Sequence, residues 1–133
     1  MKCVVYFLFL TALLTGCDAF RRINMKNYSG DKASITWAIK MDSINSSPFF
    51  ISSDREVTFN LSPVPPGNVI KMSFGHGTWR PRQLNNLIDD LDSLVIQSKH
   101  GTQSFRTEAE IRKFLMPRRK KIDKSRIDIL IDQ

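Results

Sequence analysis

The sequence predicts a mostly β domain of the α+β class, formed as an antiparallel β-sandwich or sheet with two short helical insertions. Apolar residues alternate with polar residues over several short segments, which is the period of a strand with one buried face. Only two segments have the spacing of an amphipathic helix instead. The loops between the early strands are too short for parallel crossovers, so we expect antiparallel pairing and six to eight strands.

The first predicted strands flank a turn. Ile23 and Met25 alternate with polar neighbours, residues 27–31 carry turn chemistry, and a second alternating segment follows at residues 35–41. Because the period of two continues on both sides of the turn, we predict a β-hairpin with one buried face.

Two more strands follow before the first helix. Residues 42–53 are rich in serine and asparagine and form either a loop or a short edge strand. Residues 57–61 and residues 70–74 alternate again, and a proline-rich connection at residues 62–67 separates them because proline cannot donate to a ladder. Residues 57–74 therefore supply two half-buried strands.

The pattern changes after Phe74. Four apolar residues fall at i, i+3, i+4 and i+7, which predicts an amphipathic helix lying across the sheet; they are Leu84, Leu87, Ile88 and Leu91. A short buried strand at residues 94–96, a tight turn at residues 99–101 and a return strand at residues 103–105 come next.

The second helix has a clear beginning and end. Thr107 and Glu110 have the spacing of a capping box, and Pro117 stops the helix. The last strand alternates isoleucine with other residues between Ile127 and Ile131. This segment completes a single domain with one core.

The N-terminus has the marks of an export signal. Lys2 precedes an apolar run at residues 4–14, and small residues precede Cys17. The run is shorter than the roughly 20 apolar residues that span a bilayer. The signal is therefore expected to be removed and not retained as an anchor. Besides a signal peptide of a lipoprotein, two alternatives stay open: a signal that is cleaved without attachment of lipid, and a segment that is not cleaved and serves as an anchor.

The tetrapeptide Leu14-Thr15-Gly16-Cys17 resembles the lipobox of bacterial lipoproteins. This resemblance implies that Cys17 receives a diacylglyceryl group, becomes the new N-terminus after cleavage, and is often acylated again. Two or more acyl chains hold a protein stably on a bilayer. The resemblance thus implies a lipid-anchored protein on the bacterial cell membrane or outer membrane, with its domain outside the cytoplasm.

These boundaries divide the chain into three parts. Residues 1–16 are the predicted signal peptide, residues 17–22 the lipidated cysteine with a short tether, and residues 23–133 a single β-rich domain. Only Cys17 would remain in the mature chain, so no intramolecular disulfide can form. By its strand pattern the domain broadly resembles the small immunoglobulin-like lipoproteins of bacterial envelopes.

A basic run stands out near the C-terminus of a chain whose net charge is +7. Residues 112–126 hold eight cations against one carboxylate, Asp123. One interpretation is a contact with anionic lipid, a glycan or an envelope protein through five of them: Arg118, Arg119, Lys120, Lys121 and Lys124. The plainer interpretation is a polar loop whose charge complements the end of a helix dipole. Residues 115–133 contain no aromatic stacking platform, so we expect no nucleic acid.

No catalytic or cofactor motif is found, and two histidines with one lipidated cysteine are too few for a zinc site. We therefore expect a non-enzymatic binding or structural module of unknown ligand, without cofactor or metal. The alternative is a small envelope enzyme with a site near His76, Trp79 and residues Asp89 to Asp92. Clustering of those side chains in one concave pocket would favour the enzyme.

Overall fold

The computed structural model describes residues 19–40 and 55–132, which contain seven strands and two α-helices. In chain order the elements are β1 (Phe20–Asn27), β2 (Ala33–Ile39), β3 (Glu56–Leu61), β4 (Val69–His76), α1 (Pro81–Asp89), β5 (Leu91–Ser98), β6 (Gly101–Phe105), α2 (Glu108–Leu115), a 3₁₀ turn (Met116–Arg118) and β7 (Arg126–Ile131). The predicted mostly β, α+β class is confirmed. The lipobox with Cys17 and the predicted loop or edge strand at residues 42–53 lie outside the described residues.

The strands form two sheets. One has the order β4-β1-β7 and the other has the order β3-β2-β5-β6. Four strand pairs are antiparallel, as predicted, whereas β1 and β7 run parallel. Short loops exclude a parallel crossover only between strands that follow each other closely in the sequence. Because nearly the whole domain lies between β1 and β7, the chain has ample length to return in the same direction.

The predicted hairpin between the first two strands is wrong, because β1 and β2 belong to different sheets. The turn between them is fastened by Asn27, whose side-chain amide donates to the carbonyl oxygens of Asp31 (2.6 Å) and Ser62 (3.2 Å). Its Oδ1 accepts from the backbone N–H of Ser29 (3.0 Å). An alternating pattern shows that one face of a strand is buried, but it does not identify the strand's partner.

One hydrophobic core lies between the sheets and the helices. The alternating positions predicted to be buried supply it, including Ile23 and Met25 from β1, Ile35 and Trp37 from β2, and Ile129 from β7. Each of these five side chains is fully buried. The period of two in the sequence therefore identifies the inner faces of both sheets correctly.

The two helices pack against each other, and α2 also contacts β5. In α1 the buried residues are Leu84, Leu87 and Ile88, whereas Leu91 is the first residue of β5 and is buried there. The predicted capping box is confirmed in α2. The hydroxyl of Thr107 accepts from the N–H of Glu110 (3.2 Å), and the Glu110 carboxylate accepts from the N–H of Thr107 (3.1 Å).

This cap gives a direct test of local stability. Replacing Thr107 by alanine removes the acceptor for the Glu110 N–H, so Thr107→Ala should lower the free energy of unfolding by about 1 kcal/mol. Thr107→Ser keeps a hydroxyl and should lose much less. Denaturant unfolding measures both variants. The exposed edge-strand variant Thr102→Ala is the control, and a loss as large in that control would remove the capping explanation.

Candidate polyanion-binding surface

The outward side of the three-stranded sheet carries a network of charged residues. In the parallel pairing of β1 with β7, Asn24 lies beside Asp128, and Arg22 lies beside Arg126. Residues directly opposite each other on paired strands share a face of the sheet. Because their neighbours Ile23 and Ile127 point into the core, these polar residues lie on the outer face.

Asp128 is the centre of this network. Its side chain is only 5% exposed, and its Oδ1 accepts from the Asn24 amide at 2.9 Å. Three cations surround the same carboxylate: Lys26 Nζ lies 3.2 Å and Lys120 Nζ 3.5 Å from Oδ2, and Arg126 Nε lies 3.3 Å from Oδ1. A buried carboxylate is stable only with such partners, because it has left its hydration shell.

Burial and the neighbouring polar groups change the pKa of the Asp128 carboxyl in opposite directions. Burial raises the pKa of the Asp128 carboxyl, but hydrogen bonds from Asn24 and Lys26, with the charges of Lys26 and Arg126, outweigh burial. The pKa of Asp128 is therefore lowered from its ordinary value of 3.8. The ionised form is the one that the surrounding cations stabilise.

A second carboxylate, Asp123, holds the loop that covers β7. Asp123 accepts from the hydroxyl and the N–H of Ser125, and its Oδ2 lies 3.5 Å from Arg22 and 3.9 Å from Arg126. The Ser125 hydroxyl, followed by its backbone N–H and the two arginines, lowers the pKa of Asp123. The loop at residues 119–125 is thereby joined to both β1 and β7.

The two carboxylates do not neutralise this surface. They contact four cations, Arg22, Lys26, Lys120 and Arg126. The exposed carboxylate of Asp132 borders the same concavity as Lys120, so one positive charge remains. Exposed lysines add to the excess, one on β4 directly opposite Asn24 and two in the loop. We call the whole set the basic face: Arg22, Lys26, Lys71, Lys120, Lys121, Lys124 and Arg126.

The five cations predicted to contact an anion have different positions. The Arg118 guanidinium lies 3.6 Å from the centre of the Phe114 ring and donates to the Phe114 carbonyl, and burial lowers its pKa. Arg119 donates to the Trp79 carbonyl at 2.9 Å. Lys120 reaches Asp128, as described above. Lys121 and Lys124 are exposed, so these two are the most accessible to an external anion.

Sequence reasoning missed the cations that β1 and β4 contribute, namely Arg22, Lys26 and Lys71. Arg22 and Lys26 do occupy polar positions of an alternating strand, which is the signal that places them on an outer face. No local pattern indicates that this strand pairs with the last one. The sequence run at residues 112–126 was therefore only one part of the basic surface.

The residues of the alternative enzyme site are dispersed. His76 is exposed and its ring stacks on Phe20 with centroids 4.2 Å apart. Trp79 is buried, and its Nε1–H donates to the Arg22 carbonyl at 3.1 Å. Trp79 and Asp90 border one cleft of about 380 Å³. His76 and the exposed Asp89 and Asp92 lie outside the lining of that cleft.

Residues 19–40 and 55–132 contain no group of three or more histidine, cysteine or acidic side chains that could hold a metal ion. None of the helices in these ranges has both the length and the apolar character needed to cross a bilayer.

Comparison of the chain with models of protein families, with curated proteins and with solved structures finds no match.

The Asp128 network predicts a specific pH dependence. Because the folded-state pKa of Asp128 is lowered, its contribution to stability is fully present above its ordinary pKa of 3.8 and is lost as the pH falls through the lower folded-state value. Asp128→Asn should reduce the free energy of unfolding by about 1–3 kcal/mol at pH 7. The difference from the unmodified protein should shrink below pH 3.8.

Denaturant unfolding at several pH values measures this difference. Asp132→Asn is the matched control, since Asp132 is an exposed carboxylate just beyond the end of β7. A deficit in Asp128→Asn that stays constant from pH 7 to pH 2.5 would contradict the assigned role of the ionised carboxylate.

Proposed function

We propose that this protein is a lipid-anchored lipoprotein of the bacterial cell envelope whose domain is a non-enzymatic binding or structural module. The observation that carries the proposal is the lipobox-like sequence Leu14-Thr15-Gly16-Cys17 at the end of an apolar segment too short to span a bilayer. Acylation of Cys17 would place the domain outside the cytoplasm, on the cell membrane or the outer membrane.

The position of β1 supports an attachment that holds the domain close to the membrane. This strand begins at Phe20, three residues after Cys17. Three residues span at most about 10 Å when fully extended. An acylated Cys17 would therefore hold the first strand near the lipid headgroups rather than on a long spacer.

The basic face supports an anionic ligand for the domain. Its exposed lysines extend a positive field over about 8 Å in physiological salt. Phosphate or carboxylate groups of envelope lipids, glycans or proteins have the complementary charge. The dispersal of His76 and the carboxylates Asp89 and Asp92 supports a module of this kind over a small envelope enzyme.

The anchor is tested by removing its acceptor atom. Cys17→Ser replaces the thiol that a diacylglyceryl group requires, so the variant should lose labelling by a fatty-acid probe and leave the membrane fraction. Intact-mass measurement of the unmodified protein should show a product that starts at Cys17 and carries acyl mass. A product that starts elsewhere, or that lacks acyl mass, would refute the proposal.

The basic face is tested by comparing two variants of equal net charge. Lys71→Gln, Lys121→Gln and Lys124→Gln together remove exposed cations of the face. The control variant removes three exposed cations from other parts of the domain, by Lys32→Gln, Arg55→Gln and Lys113→Gln. Both should be compared as detergent-solubilised protein on a phosphate-bearing matrix.

The face variant should elute at clearly lower salt than the control variant, because contacts with phosphate act locally and are screened by salt. Equal elution of the two variants would mean that net charge alone determines retention, and the basic face would then have no special role.

A further inference from the structure

Three segments of the chain meet at one end of the domain. The carbonyl of Ala19 accepts from Gly77 N–H (2.7 Å), the carbonyl of Ser125 accepts from Arg22 N–H (2.8 Å), and the carbonyl of Lys124 accepts from Trp79 N–H (2.8 Å). The start of β1, the end of β4 and the loop before β7 are thus joined by backbone hydrogen bonds. This end is also where the described chain begins.

The loop before β7 presents an apolar side chain at its tip. Two backbone hydrogen bonds close the loop, from Lys120 N–H to the Arg126 carbonyl (3.0 Å) and from Arg126 N–H to the Asp123 carbonyl (3.1 Å). Between them, Ile122 is 100% exposed. Two exposed lysines, Lys121 and Lys124, lie within two residues of it.

A single exposed apolar residue is common on protein surfaces and needs no explanation by itself. Ile122 differs in its surroundings. Phe20 is 51% exposed at the same end of the domain, and the adjacent cations belong to the basic face. Apolar side chains that enter the membrane interface and basic side chains that attract anionic lipid strengthen membrane binding together.

We propose that residues 121–124 form a membrane-contacting tip, in which Ile122 enters the interface of an anionic leaflet while Lys121 and Lys124 contact lipid phosphates. The inference rests on the proposed function, because acylation of Cys17 would bring this end of the domain to the bilayer. Ala19 lies two residues from Cys17, so their Cα atoms are at most about 7 Å apart.

The charge and the apolar side chain of the tip favour a lipid surface as its binding partner. The lysines complement the phosphates of an anionic leaflet, and such a leaflet attracts basic residues within about one Debye length. The isoleucine complements the acyl boundary beneath the phosphates, which a soluble glycan does not offer. Contact at this end would turn the opposite end toward the aqueous phase, together with its groove of about 1140 Å³ between Lys32, Leu61 and Lys99.

The contact can be measured with an environment-sensitive dye on one thiol. The signal carries Cys3, and the proposed lipid blocks Cys17, so Ile122→Cys gives the mature protein one free thiol. The acylated protein is labelled with a nitrobenzoxadiazole dye and reconstituted into vesicles of phosphatidylglycerol and phosphatidylcholine that contain brominated lipid. Val64→Cys, in the loop between β3 and β4 at the opposite end, is the control.

The dye at position 122 should shift its emission to the blue and be quenched several-fold more strongly than the dye at position 64. Quenching at position 122 should also be stronger in anionic than in neutral phosphatidylcholine vesicles. Equal quenching at the two positions, or no dependence on lipid charge, would overturn the inference. A blue shift of the dye at position 122 that appears only after addition of peptidoglycan fragments would also overturn the inference, and it would assign the tip to a glycan.

A second measurement avoids any effect of the dye. Ile122→Ser should raise the rate at which the acylated protein transfers between anionic vesicles by several-fold, while Ile122→Leu and Val64→Ser should transfer as the unmodified protein does. An unchanged rate in Ile122→Ser would overturn the contact.

The two proposals fail in different ways. Intact mass of the same preparation reports acylation directly. Acyl mass without quenching at position 122 would overturn the tip and leave the lipoprotein function intact. Absence of acyl mass would overturn the function. The combined variant Cys3→Ser, Cys17→Ser and Ile122→Cys then has one thiol whether or not the signal is removed, and the quenching experiment decides the tip on its own.

Discussion

The parallel pairing of β1 with β7 determines which charged residues meet on the outer side of the three-stranded sheet. It places Asn24 beside Asp128 and buries the Asp128 carboxylate among Lys26, Lys120 and Arg126. A buried carboxylate requires these partners. The cations that satisfy Asp128 come from both ends of the sequence, so the pairing itself assembles the centre of the basic face.

The same pairing also organises the loop before β7. Asp123 connects that loop to Arg22 on β1, and backbone hydrogen bonds connect it to β1 and to the segment after β4. The loop is therefore held at the end where the chain enters the domain. The proposed lipid anchor a few residues upstream, the basic surface and the exposed isoleucine would then act at one place and would give the domain a defined orientation on a membrane.

Several elements could be predicted because short-range rules govern them. The helical stripe of Leu84, Leu87 and Ile88, the capping box of Thr107 and the buried isoleucines of β7 all follow from neighbours within a few residues. The hairpin failed for the opposite reason. Alternation on both sides of a turn is the same whether the two strands pair or enter different sheets, and the contacts of Asn27 that divert the chain are not visible in a pattern.

By itself, the sequence determined the fold class, the places of most elements and the basic character of the C-terminal run, since each depends on composition or local periodicity. Only the tertiary structure decided which cations act together. It engages Arg118 and Arg119 in contacts with Phe114 and Trp79, leaves Lys121 and Lys124 exposed, and adds Arg22, Lys26 and Lys71 from distant strands. Which strands pair depends on how several strand and helix faces are buried together. The pairing brings together residues that lie far apart in the sequence, so no local pattern indicates their contact.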